Sequence, residues 1–172
     1  MKLVRVFALS LACVAALFPL TLLAQAHGGG RGMATVMIGD GKVTVDYGRP
    51  ELKGRNVNEL MVVGKIWRMG KDDATTLTSD VDLVFGEKKL AKGKYTLVAK
   101  KIAADQWNLL ILSKGDFYRF DPAGVTLEVP MQVTEAKPSV ELETIELAVT
   151  GNTATLTVMW GSLKASVSFK KA

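Results

Sequence analysis

From Val125 to Thr134 every second side chain is apolar: Val125, Leu127, Val129, Met131 and Val133 alternate with Thr126, Glu128, Pro130, Gln132 and Thr134. Successive side chains of a strand point to opposite faces, so this rhythm buries one face and wets the other only as β-structure. Pro130 has no N–H to give to a ladder, which places this strand at an edge or beside a bulge. The same alternation runs through Val43–Tyr47, Val81–Phe85, Ala154–Trp160 and Leu163–Phe169. Trp107–Leu112 is apolar on both faces and reads as a central strand.

Turn chemistry sharpens the pairing. Gly151-Asn152 and Gly161-Ser162 suit two-residue hairpin turns, because glycine supplies the positive φ such turns need. Pairing Thr150 with Thr153 opposes Val149 to Ala154, Leu147 to Leu156 and Ile145 to Val158. Pairing Trp160 with Leu163 opposes Val158 to Ala165, Leu156 to Val167 and Ala154 to Phe169. A turn at Asp40-Gly41 opposes Ile38 to Val43 and Val36 to Val45. Within Val140–Val149 the apolar phase switches from even to odd positions, which predicts a bulge near Thr144-Ile145. One short helix is expected around Asn58–Val62, capped by Asn56 or Asn58. The chain is therefore expected to be all-β: a single antiparallel sandwich or barrel of about nine to ten strands, with one short helix in a long loop.

Residues 1–26 read as a secretory leader, with Lys2 and Arg5, an apolar run from Val6 to Leu23 broken by Pro19, and the small-x-small site Ala24-Gln25-Ala26. Cleavage there predicts a periplasmic or extracellular product, not inserted in the membrane, with a flexible glycine-rich tail over 27–32 and one domain over 33–172. It removes Cys13, the only cysteine, and leaves His27, the only histidine, at the new N-terminus. No disulfide, cysteine nucleophile, internal serine–histidine triad or zinc site with two or more His or Cys ligands is then available. Loss of Lys2 and Arg5 lowers the formal net charge from +5 to +3, a mild balance that argues against nucleic acid.

The stretch Tyr47–Thr76 breaks the strand rhythm, and long irregular connections in compact domains are often functional. Between Arg49 and Lys71 lie Arg49, Lys53, Arg55, Lys65, Arg68 and Lys71 against only Glu51 and Glu59. Such a cluster suits a carboxylate, phosphate or sulfate, with arginine forks for bidentate contacts and Tyr47 and Trp67 as stacking faces. The candidate ligand-binding set is Tyr47, Arg49, Lys53, Arg55, Lys65, Trp67, Arg68, Asp72, Asp73, Thr75 and Thr76. Arg49, Arg55 and Arg68 are expected together at one end of the domain, near Trp67 and Thr75-Thr76. The plainer reading is a solvated basic loop, with Trp67 plugging the core and an arginine paired to Asp72 or Asp73.

Tyr47-Gly48-Arg49-Pro50, Lys53-Gly54-Arg55, Gly64-Lys65-x-Trp67-Arg68-x-Gly70, Ala74-Thr75-Thr76, Lys92-Gly93-x-Tyr95 and Trp107 together resemble the DUF2911 family, secreted bacterial domains of unknown function. The resemblance runs from about Val43 to Lys170. It implies a β-rich domain in an envelope or secreted setting and supplies no established activity. The family's usual Tyr-Ser-Arg-Pro has Gly48 in place of serine here, which removes a hydroxyl nucleophile. Its usual Asn-Glu before Ala-Thr is Asp72-Asp73.

Other signals are weaker. His27-Gly28-Gly29-Gly30 mimics an esterase oxyanion loop, but the chain has no Gly-x-Ser-x-Gly elbow. His27 with its amine lacks a second imidazole for a selective copper site, so no metal and no cofactor are expected. Asp72-Asp73 and Asp80/Asp82 are carboxylate pairs of the kind used in glycoside hydrolysis or calcium binding, and more simply read as capped turns. Glu141 and Glu143 share one strand face and are expected to meet water. No catalytic residue is assigned. The leading expectation is a non-enzymatic binding module for a small anionic or carbohydrate-like ligand, or for an envelope protein. The rivals are a carboxylate-dependent enzyme acting on a carbohydrate and a purely structural envelope protein.

Overall fold

The computed structural model describes residues 30–115 and 118–172; the expected leader and its cleavage point lie outside them. Ten strands form one antiparallel sheet: β1 (Arg31–Ile38), β2 (Gly41–Gly48), β3 (Ile66–Trp67), β4 (Thr76–Ser79), β5 (Leu83–Phe85), β6 (Lys88–Leu90), β7 (Gly93–Ala103), β8 (Gln106–Leu112), β9 (Val125–Thr150) and β10 (Thr153–Lys171). Their order is β1-β2-β4-β7-β8-β9-β10-β5-β6, with β3 added on β7. The all-β expectation holds, with ten strands. Arg31 and Gly32 belong to β1 and not to the tail expected over 27–32.

The alternation dictates the core. Inward residues of β2, β8 and β10, such as Val43, Val45, Leu109, Ile111, Leu156 and Val158, meet in one interior cluster. Val98, Leu110 and Leu112 form a second cluster with Ile66, Phe120 and Val125, so β8 is apolar on both faces because both are covered. Trp107–Leu112 is central as expected, paired to β7 and to β9.

β9 changes partner along its length: it pairs with β8 up to Met131 and with β10 from Gln132 onward. Pro130 stands where the β10 ladder has ended and its missing N–H costs no bond there. Thr150 pairs with Thr153, Leu147 with Leu156 and Ile145 with Val158, the expected register around Gly151-Asn152. Within β10 the hydroxyls of Thr155 and Ser168 lie 3.0 Å apart. Thirteen residues of extended chain would span roughly 40 Å, so β10 folds back on itself. The Trp160–Leu163 register opposes Thr155 to Ser168, and Gly161, at φ +58°, supplies the turn.

The third turn falls one position before its expected place, which shifts the register by two. Ile38 pairs with Gly41 and Val36 with Val43, so the turn is Gly39-Asp40 and not Asp40-Gly41. The glycine with positive φ is Gly39. A shift by two keeps every side chain on its face, which is why the apolar pattern alone tolerated both. The irregularity in β9 also differs. It lies at residues 141–143, where Met159 pairs with Thr144 but Gly161 with Val140. The other edge of β9 there takes up the segment after β2: Glu143 N–H donates to Pro50 O at 3.0 Å, Leu52 N–H donates to Glu141 O at 2.8 Å, and Glu51 bridges Leu142. The curled sheet thus brings its β1–β2 side against the second half of β9. The helix α1 (Val57–Leu60) is capped by Asn56, whose side chain accepts from Asn58 N–H, and it starts one residue earlier than expected.

Candidate functional site

The seam between the β1–β2 side and β9 is held by side chains of the Tyr47-Gly48-Arg49 stretch. Tyr47 is buried and runs beneath Gly32, where a Cβ would meet its ring at 2.6 Å. Burial pushes its phenol pKa above the ordinary value, and the neighbouring Ile145 backbone pulls the other way. Arg49 donates from Nε to Glu143 O at 3.2 Å and from Nη2 to the Thr144 hydroxyl at 3.2 Å. The Glu143 carbonyl lies on the β9 edge beside Pro50, which has no N–H to give it.

Gly48 and Gly70 pack the next layer. A Cβ on Gly48 would stand 1.9 Å from Lys71 O, and one on Gly70 2.8 Å from Thr75 Oγ1. Thr75 is buried and donates to Met69 O at 2.5 Å. Thr76 is half-buried in β4 and pairs with Asp46 and Thr96. The family-like residues of this loop therefore meet mainly as packing against one another.

Three tryptophans close the interior. Trp67, 6 % exposed, stacks on Trp160 at 6.2 Å between centroids and meets Trp107 edge-on at 5.7 Å. Lys101 lies over Trp107, and the Arg55 guanidinium lies over Trp160 at 5.9 Å. Arg55 is held by backbone alone, donating from Nε to Leu52 O and from Nη2 to Glu51 O, both at 2.8 Å. It lines an open cleft of about 260 Å³ with Leu52, Asn56, Val57, Ser139 and Ser162, at the end of the sheet where β10 turns.

The three arginines do not converge on one cavity. Arg49 grips β9, Arg55 lines the cleft, and Arg68 donates to the Tyr118 hydroxyl and to Asp72 O. Of the nearby acids, Glu51 pairs with Lys53 at 3.5 Å, Asp72 with Lys71 at 4.0 Å and Asp73 with Arg31 at 4.0 Å. Lys53, Lys65, Asp72 and Asp73 are exposed. Asp82 accepts from Lys92 N–H, as a turn cap does. Among the described residues no group of three or more His, Cys, Asp or Glu is placed to hold a metal.

Glu143 corrects the sequence reading most sharply. It is fully buried and does not meet water, whereas Glu141 is exposed and accepts from Lys53 N–H at 2.7 Å. Burial raises the Glu143 pKa well above its ordinary 4.5, and the Arg68 charge pulls the other way. Among the described residues neither carboxyl oxygen has a hydrogen-bond partner, and neither has the buried Trp160 Nε1. The signal was present in the sequence: Glu143 shares the odd phase of Ile145, so an irregularity placed before it rather than after it turns it inward.

A family model described as "Protein of unknown function (DUF2911)" matches residues 31–169, and the chain belongs to that family. No curated protein and no solved structure matches it.

Proposed function

We propose that this DUF2911 member is a non-catalytic binding module whose Arg55 cleft takes a small anionic or carbohydrate-like ligand. The observation that carries the reading is Arg55 itself. Its guanidinium is oriented by two backbone carbonyls and by the face of Trp160, and among the described residues no carboxylate forms an ion pair with it. An arginine has five N–H donors in a fixed fork, so Nη1 and part of Nη2 remain for a ligand. Ser139, Ser162 and Asn56 add hydrogen-bonding groups around the same opening. Arg49 and Tyr47 serve the fold, as bridges across the seam. The leader-like residues 1–26 support export, which would expose the cleft to periplasmic or extracellular solutes.

Calorimetric titration of residues 27–172 with sulfate, citrate, galacturonate and galactose tests the reading. Saturable binding of at least one is expected, weakened tenfold or more by Arg55→Ala and unchanged by Lys89→Ala on the distant β6. Absence of binding by all four, or binding indifferent to Arg55→Ala, would overturn it.

A further inference from the structure

The orphaned polar atoms are not scattered. Among the described residues, both carboxyl oxygens of Glu143 and Nε1 of Trp160 stand buried without hydrogen-bond partners. These two residues are neighbours across strands. Ile145 pairs with Val158 and Thr144 with Met159, and Glu143 and Trp160 are the next residues of the two strands, where the register shifts. Ile145, Val158, Glu143 and Trp160 are all buried, so both side chains continue the inward phase onto the same face. An acceptor without a donor and a donor without an acceptor thus both face the interior at this irregularity. Buried polar groups are nearly always satisfied, so such a coincidence calls for a partner to both.

We infer that Glu143 and Trp160 form an interior site for a hydroxyl group, supplied by a bound water or by the end of a polyol. A single hydroxyl oxygen accepts from the indole N–H and donates to the carboxyl, so one group satisfies both. Ionic ligands fit less well. Arg68 already acts electrostatically on Glu143 and repels an ammonium, while the carboxyl repels an anion. The stacked Trp67 walls the site with an apolar face. The inference does not depend on what the Arg55 cleft binds.

A high-resolution crystal structure of residues 27–172, grown without polyols, provides the first test. It is expected to show an oxygen within about 2.7–3.2 Å of both a Glu143 oxygen and Trp160 Nε1, which identifies the source as water. If that position fills only on soaking with xylitol, the Trp160 indole N–H resonance in solution must also shift saturably with xylitol. Such a shift assigns the site to a polyol, and its absence marks an adventitious additive only and overturns the inference. A direct Glu143–Trp160 hydrogen bond, or an interior with no bridging oxygen under either condition, also overturns it. Glu143→Gln keeps a hydrogen-bonding group and should retain the bridging oxygen; its loss there, in a folded variant, counts against the site.

Discussion

Arg49 holds the main chain of Glu143: its Nε donates to the Glu143 carbonyl at 3.2 Å, while the next residue's hydroxyl takes Nη2. A basic residue in a glycine-rich loop thereby acts as a substitute strand neighbour. It fills hydrogen-bonding positions on the β9 edge that no backbone reaches, two residues from the point where Tyr47 meets Ile145.

Removing that grip leaves a buried carbonyl without a donor. Arg49→Ala is expected to destabilise the fold by about 1–3 kcal/mol, the range for charged hydrogen bonds. Arg49→Lys should recover only part of it, since an ammonium lacks the planar fork. Urea unfolding of the three proteins measures this, and an unchanged midpoint for Arg49→Ala would refute the bridging role.

Gly48 is fixed by space and not by backbone conformation. Its ideal Cβ position is 1.9 Å from the Lys71 carbonyl oxygen, a backbone atom that cannot swing aside. Gly48→Ser is therefore expected to cost about 1–3 kcal/mol or more, as overpacking does. A melting temperature equal to the parent would show that the 70–72 segment shifts at little cost.

Trp67 is the hub between Trp107 and Trp160. Trp67→Ala should cost about 3–5 kcal/mol, as large aromatic truncations do. It should also perturb the near-ultraviolet circular dichroism of both partners. Trp67→Phe, which keeps a ring in contact, should cost distinctly less.

Much of this architecture was legible because period-two burial and glycine turns are local signals. The pairs Leu147–Leu156 and Thr155–Ser168 follow directly from Gly151 and Gly161 as first turn residues. The same Gly-x pattern favours Gly39-Asp40, and the misplaced turn came from reading the glycine after Asp40 instead of the one before it. What was not legible is non-local. Nothing in the Tyr47–Thr76 stretch says that Pro50 and Leu52 will bond to Glu143 and Glu141, far along the chain. That pairing displaces the expected bulge and draws Glu143 inside. Charge clustering also misled: Arg49, Arg55 and Arg68 are close in sequence, yet each serves a different neighbour.

The buried Glu143 gives stability a pH dependence of definite sign. Burial disfavours its charged form, and the Arg68 charge offsets this only in part, so the folded protein holds this proton above the ordinary value of 4.5. Between that value and the raised one, the unfolded chain binds fewer protons than the folded chain. Stability from this group is thus full below the ordinary pKa and is lost as pH rises through the window. Exposed carboxylates act in the acid range and confound a single profile, so the difference between parent and Glu143→Gln is the quantity to measure. Thermal melts from pH 4 to pH 9 should show the variant gaining on the parent as pH rises. Arg68→Met, which removes the opposing charge, should steepen the parent's decline. Parallel profiles for parent and Glu143→Gln would mean that Glu143 titrates as an ordinary surface carboxylate.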